Sequence, residues 1–443
     1  MRIDEITITN FKGFAERTFE FKRAAKSARK QGTFHLLVGE NGSGKSTTLD
    51  ALAIALGIWH VARPTAGWRA IRPGEARWQA ISHGDSTSFE PMPDPSIRAR
   101  GWIGDKPACW MRMNKGHSTK TSNEEAQDAL AEVKRLQDLS RKPEAKVTLP
   151  VLAYYSAGRA WLPEKERVKG FPLNMKKGSR FDAYYNCLDG RIRDKELNQW
   201  FLFEMVEAAG RGKKRDGLLA VEKAVLNCLP DAKGLRFDSD RKEVVVIMKG
   251  KKPEMPFYNL SDGQRATLAM IADLAIKAVT LNPHLGKAAA TTSPGVVLID
   301  ELDLHLHPKW QRRIVTDLKK TFPNLQFVCS THSPFLIQAL QPGELIPLDE
   351  TTGAVGEYAN QSIEAIVEGV QGVPMPQRNH RAEMLSSAVE EYVKEIHKPR
   401  ASKAAVKKAE VKFRQAAEPY APNPGLNALL KLEAMAVLKP TTR

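Results

Sequence analysis

The sequence predicts an α/β fold organised around a phosphate-binding loop, and three stretches carry that prediction. Gly39-Glu40-Asn41-Gly42-Ser43-Gly44-Lys45-Ser46 follows the apolar run Phe34-His35-Leu36-Leu37-Val38 and leads into a helical pattern. Val296-Val297-Leu298-Ile299 is a second apolar run, ending in the acids Asp300-Glu301. Leu260-Ser261-Asp262-Gly263-Gln264 stands upstream of it, just ahead of a long helical stretch. A strand entering a glycine-rich loop and a helix leaving it are the context in which such a loop cradles phosphate. A serine–glycine turn before a helix is a second phosphate binder, because it offers a hydroxyl, backbone N–H groups and a helix N-terminus. The first loop already surrounds its own nucleotide. The second is therefore expected to serve another copy's nucleotide, so that ATP would hold two heads together.

The remaining elements follow from periodicity. Ile3, Ile6 and Ile8 mark one strand, and Phe19 and Phe21 a second. Leu49, Leu52, Ala53 and Leu56 have helical spacing over 46–58. Residues 60–150 are rich in Trp, Pro, Gly and Arg, with little periodicity before a short helix over 123–139, and are expected to form an insertion or surface lobe. Pro150–Tyr155 is a core strand ending in the turn Ser156-Ala157-Gly158-Arg159. Helices are expected over 195–209, 217–229, 265–281 and 309–321, and strands over 236–238, 243–248, 295–300 and 326–330. The tail carries helical patterns over 382–396, 404–417 and 425–437. The expected domains are 1–59 with the phosphate loop, 60–150, 151–259, 260–374 with the signature and acidic strand, and a helical tail over 375–443.

With 443 residues, 27% charged and 42% hydrophobic, the chain has the composition of a globular protein with room for two or three domains. No apolar run reaches the ~20 residues of a membrane span. Cys109, Cys187, Cys228 and Cys329 are far apart and form no CxxC pair, which suits reduced thiols and a cytoplasmic location. A net charge of +16 suggests a polyanion partner such as DNA or RNA. Basic clusters fall at 22–30, 165–180, 211–215 and 398–414.

Each motif position has a chemical role. The glycines let backbone N–H groups curl around the β-phosphate, Lys45 reaches the β- and γ-phosphates, and Ser46 offers a hydroxyl to Mg2+. Thr47 completes this nucleotide-binding set. Asp300, at the carboxyl end of a buried strand, can complete the Mg2+ shell, and Glu301 is the natural general base for an attacking water. His332, in Ser330-Thr331-His332-Ser333-Pro334, is expected at the same sheet edge, within reach of a γ-phosphate. His305 and His307 are two apart, but no further Cys or His accompanies them, so this turn is assigned to a dimer interface rather than a metal site.

Phosphate loop, LSDGQ, Asp300–Pro308 and STHSP together resemble the ABC-type ATPase heads, closest to the RecF, SMC and OLD branch. The resemblance implies an ABC-type (SMC/RecF-like) P-loop ATPase head with a helical lobe and a helical C-terminal tail. It makes Gln264 part of the signature with Ser261 and Gly263, His307 the replacement of the usual D-loop acid, and His332 the switch histidine. Ile8-Thr9-Asn10-Phe11-Lys12-Gly13-Phe14 resembles that branch's N-terminal strand motif, which places Lys12 near the nucleotide. Gln79 is the candidate for the Q-loop glutamine.

A narrower resemblance, carried by Leu149–Tyr155 with Gly158-Arg159, Tyr184–Asp189, Asp300–Pro308, Gln377–Arg381 and Ala421–Pro424, is to PtuA-like ATPases of Septu anti-phage systems and some retrons. It implies a homo-oligomer that acts with a separate HNH nuclease of PtuB type. Alternatives are a RecF-like DNA-binding repair ATPase and an OLD-like stand-alone nuclease. Against the latter, the tail carries no clustered acids of a Toprim centre.

Overall fold

A computed structural model of the chain describes residues 1–22, 32–62, 69–72, 74–115, 121–142, 144–160, 178–192, 194–250, 253–349, 358–373, 376, 380–398 and 402–418. The third tail helix expected over 425–437 and the Ala421–Pro424 motif lie outside the described residues, as do Gln377, Arg378 and Asn379. The chain divides into two compact units, Met1–Gln371 and Gly372–Arg443.

In the first unit five short strands form a wholly parallel sheet in the order Leu345–Pro347, Phe34–Val38, Leu325–Ser330, Gly295–Ile299, Val151–Tyr155. The three middle strands are buried at every residue, which explains why their sequences are continuous apolar runs rather than alternating ones. Consecutive side chains on a strand point to opposite faces. Tyr154 reaches Asp50 on the phosphate-loop helix Lys45–Leu56 at 3.4 Å, and Tyr155 reaches Asp273 on the helix Asp262–Leu281 at 2.5 Å. These two helices therefore cover opposite faces of the sheet.

A second, antiparallel sheet has the order Phe14–Glu20, Arg2–Phe11, Ser96–Ile103, Lys106–Asn114, Thr121–Ser122. Residues 96–114 thus complete the N-terminal sheet and are not part of a separate lobe over 60–150. The physical signal is present in the sequence: Ile97, Ala99 and Ile103 are buried, while Arg98 and Arg100 between them are exposed. Within 60–150, Trp78–His83 and Ser86–Pro91 form a hairpin of their own, exposed along most of both strands.

Buried side chains join the sheets. Gln326 accepts from the Ile3 N–H at 2.9 Å and donates to the Ile3 carbonyl at 2.6 Å. Arg112, wholly buried, donates to the carbonyls of Ile54 and Arg69, and Trp110 Nε1 donates to Ala55. The last carbonyls of a helix have no intrahelical partner, so these two side chains tie down the far end of the phosphate-loop helix.

The second unit contains the helices His380–Ile396 and Lys403–Ala417, which pack as a pair. Tyr392 stacks on Phe413 with ring centroids 5.8 Å apart, and Lys412 pairs with Glu391.

Replacing Gln326 by Leu removes both bonds at Ile3 and leaves its N–H and carbonyl buried without them. An order of 2–4 kcal/mol should be lost, read as a fall in urea midpoint at an unchanged slope. An unchanged midpoint would show that the two sheets do not depend on this contact.

Candidate nucleotide site

The parallel register decides which residues meet. Ile299 lies beside Cys329 and Tyr155, Ser330 beside Leu37, and Pro347 beside Val38. The segments leaving all five strands, including Gly39, Asp300, Thr331 and Asp349, therefore emerge at one sheet edge, the ligand-binding edge of open α/β sheets.

The phosphate loop turns through Gly42 (φ 87°) and Gly44 (φ 99°), a region other residues rarely adopt. A Cβ on Gly44 would lie 2.3 Å from Cζ of Phe14, so the Phe14 ring packs directly on the loop. Lys45 Nζ donates to the carbonyls of Gly39 and Glu40, each at 2.7 Å. Burial lowers the pKa of Lys45, and the carboxylates of Asp349, Asp300 and Glu301 oppose that shift. Their influence places both predicted acids in electrostatic reach of the loop lysine. Glu40, Asn41 and Ser46 are exposed at the mouth, while Ser43 and Thr47 are half-buried.

Asp300 is buried, and its backbone N–H donates to the Tyr155 carbonyl at 2.8 Å. One hydroxyl organises the acid pair. Ser330 Oγ donates to Asp300 Oδ1 at 2.5 Å and accepts from the Glu301 N–H at 2.8 Å. Glu301 has φ 50° and His305 φ 62°, so the turn after the strand twice enters the left-handed region. Such strain persists where the surroundings over-determine it. Here they do: Leu302 N–H donates to the Ser330 carbonyl at 2.9 Å, and Thr331 bonds Asp303. Further along, Gln311 donates to the Leu306 carbonyl at 2.9 Å and accepts from Ser333 at 2.7 Å.

His307 caps the helix Pro308–Thr321, with Nδ1 accepting from the Lys309 N–H at 3.2 Å. This imidazole does the work an aspartate usually does at a helix start. Among the described residues no group of three His, Cys, Asp or Glu side chains is placed to hold a metal ion. His332 is exposed beside the acid pair's strand, and its carbonyl accepts from Gln371 Nε2 at 2.7 Å.

Ser261 caps the helix Asp262–Leu281 in a capping box: Ser261 Oγ accepts from the Gln264 N–H at 3.4 Å, and Gln264 Oε1 accepts from the Ser261 N–H at 3.3 Å. Ser261 and Asp262 are exposed, and Asp262 is paired with Arg265 at 2.8 Å. Gly263 is buried. A Cβ there would stand 2.2 Å from the His305 carbonyl oxygen, so glycine lets the helix start lie against the turn after Glu301. The signature residues thus bond to one another and abut that turn. Among the described residues no hydrogen bond or ion pair joins them to the phosphate loop of their own chain.

Lys12 (φ 49°) pairs with Asp50 on the phosphate-loop helix and lies 3.6 Å from Glu75. Arg69 bridges the same two acids at 3.5 and 2.5 Å. The sequence missed this network, because Asp50, Arg69 and Glu75 belong to no motif. Gln79 lies on the exposed hairpin opposite Glu90. Of the basic clusters, 22–30 and 165–180 fall almost wholly outside the described residues. Elsewhere Arg211, Lys214 and Arg215 pair with Glu207, Glu222 and Glu204, and Lys398, Lys412 and Arg414 pair with Glu395, Glu391 and Glu410. The four cysteines are free thiols, and among the described residues no helix is long and apolar enough to cross a membrane.

The Ser46 hydroxyl and Asp300 carboxylate are hard oxygen donors, and a set this small fits Mg2+, which keeps waters and phosphate oxygens in its shell. Phosphate loop, acid pair and switch strand at one edge of a parallel sheet, with a signature helix on one face, define an ABC-type P-loop ATPase head.

The chain is similar to several known proteins. Residues 191–338 match the family described as "AAA domain, putative AbiEii toxin, Type IV TA system", and residues 5–207 match a second family described as "AAA domain". The chain is 24% identical over 401 residues to the retron Vc95 probable ATPase of Vibrio cholerae serotype O1 biovar El Tor, covering 79% of this chain and 74% of that protein. It is 26% identical over 406 residues to the retron Ec83 probable ATPase of Escherichia coli, covering 75% and 69%. It is 28% identical over 232 residues to the Septu protein PtuA of Bacillus thuringiensis, covering 47% and 57%. Among solved structures, an SMC head bound to the C-terminal winged-helix domain of ScpA superposes with a TM-score of 0.44 at 15% identity, covering 78% of this chain and 93% of that one. The SMC head domain of Thermotoga maritima gives 0.38 at 14%, covering 80% and 97%. The relatives of this chain are therefore retron ATPases and Septu PtuA, and two segments of it match AAA-domain families.

Replacing Ser330 by Ala removes the hydroxyl shared by Asp300 and Glu301. ATP turnover should fall by about ten- to a hundredfold with ATP affinity within about twofold of the parent. An unchanged kcat would show that the hydroxyl does not position the acids.

Proposed function

We propose that this chain is a slow, regulatory ATPase of an anti-phage defence system, whose ATP-bound heads dimerise and control a partner effector. The observation that carries this reading is the position of the signature. Ser261 and Gly263 start a helix on the face of the sheet opposite the phosphate-loop helix, and Ser261 is exposed. An exposed helix N-terminus with a serine cap suits the phosphate of a second copy's nucleotide.

In this reading Gly39–Ser46 and Thr47 cradle the phosphates, with Lys12 beside them. Lys45 neutralises the β- and γ-phosphates. Ser46 and Asp300 would hold Mg2+, which when bound draws charge from the phosphate oxygens. Glu301 accepts a proton from the attacking water. Ser261, Gly263 and Gln264 approach the partner's γ-phosphate, and His332 senses it. ATP moves the monomer–dimer equilibrium only by its differential affinity for the two states. The resemblance to PtuA-like ATPases supports a separate HNH nuclease as the effector and a cytoplasmic setting. The net charge of +16 supports a nucleic-acid contact by the assembly.

Two variants test the reading. Glu301→Gln removes the base and should trap ATP and a dimer; sedimentation of this variant as a monomer in excess Mg-ATP contradicts the proposal. Ser261→Arg places a long side chain at the exposed helix start. It should abolish ATP-dependent dimerisation while leaving nucleotide binding by each head within about threefold, a shift under 1 kcal/mol. Dimerisation retained in this variant would remove the signature from the interface.

A further inference from the structure

We propose that Asp349 sets the nucleotide affinity of the phosphate loop, as a resident negative charge against which the triphosphate must bind. Nothing in the motif set points to this residue. Its position follows from sheet register. Leu345–Pro347 runs parallel to the strand that enters the loop, Pro347 lies beside Val38, and the Leu348 N–H donates to the Val38 carbonyl at 2.9 Å. The next residue on that edge strand is Asp349, and the next on the loop strand is Gly39.

The contact is direct. Asp349 Oδ2 accepts from the Glu40 backbone N–H at 2.5 Å. A Cβ on Gly39 would lie 2.7 Å from the same oxygen, so the carboxylate packs directly against the backbone of the loop. Among the charges that act on Lys45, Asp349 is the strongest, ahead of Asp300 and Glu301. The backbone N–H groups of a glycine-rich loop form an anion site, and one of them here is bonded to a side-chain anion. Asp300 and Glu301 have assigned work with metal and water. Asp349 carries equal charge, has no such work, and stands against the loop itself.

The electrostatic consequence has a definite sign. The carboxylate favours the ammonium of Lys45 and opposes the phosphates that Lys45 attracts. Mg2+ cancels part of the nucleotide charge, so the opposition is greatest for free ATP and smaller for Mg-ATP. The inference rests on the proposed binding of ATP at this loop, but not on dimerisation or on any effector.

The test is Asp349→Asn in the full chain. Asparagine keeps the shape and a carbonyl oxygen for the Glu40 N–H, and removes the charge. ATP, ADP and adenosine are titrated by calorimetry with and without Mg2+. ATP affinity without Mg2+ should rise about tenfold, on the order of one partly screened charge a few ångströms away, with a smaller gain for Mg-ATP and none for adenosine. ATP affinity that is unchanged or weaker overturns the inference. So does an equal gain for adenosine, which would mean a change of shape rather than of charge. Lys45→Ala in the same titration isolates the underlying reading: if it binds ATP like the parent, the loop is not the ATP site.

Discussion

The site depends on one buried hydroxyl. Ser330 Oγ donates to the Asp300 carboxylate and accepts from the Glu301 N–H, joining the acid pair to the neighbouring strand. A buried carboxylate is costly unless it is hydrogen-bonded, and Ser330 satisfies part of that need. It also fixes where the chain turns after Asp300, and so where Glu301 points. From this junction the turn runs through Asp303 and His305 to the start of the signature helix, where Gly263 lies against the His305 carbonyl. Disturbing the hydroxyl would therefore disturb the acids and the turn against which the helix Asp262–Leu281 begins.

The sheet has a second joint. Tyr154 and Tyr155 are adjacent on the strand beside Gly295–Ile299, and their hydroxyls reach acids on helices covering opposite faces. Asp50 belongs to the phosphate-loop helix and is also held by Lys12 and Arg69. Asp273 belongs to the signature helix and is also held by Lys277. The strand thus ties the helix that leaves the phosphate loop to the helix that the LSDGQ stretch opens. Burial raises the pKa of Tyr154, with the charges of Asp50 and Asp300 adding to the effect, so its hydroxyl stays protonated.

Much of this was legible in the sequence, for identifiable reasons. Phe34–Val38, Gly295–Ile299 and Leu325–Ser330 are buried on both faces, so they appear as unbroken apolar runs next to motifs. The long helix after the signature was legible from its apolar spacing, and its true start at Asp262 is the cap that Ser261 and Gln264 make. The hairpin Ser96–Ile103 with Lys106–Asn114 was harder to see, because Gly101 weakens the apolar face of its first strand and the buried Arg112 and Asn114 break that of its second. Asp349 was illegible for a different reason. Its place beside the loop comes from parallel pairing between segments some 300 residues apart, and no local pattern encodes that. The roles of Asp50, Arg69 and Glu75 were hidden in the same way.

In the proposed dimer one working site takes its phosphate loop from one copy and its signature from another. Mixing two inactive variants tests it directly. A Ser261→Arg head keeps its phosphate loop, and a Lys45→Ala head keeps its signature, so a mixed pair contains one intact composite site. Each variant alone should hydrolyse ATP at background rate, and an equimolar mixture should recover a substantial fraction of the parent rate. A mixture that stays at the sum of its separate components would contradict it.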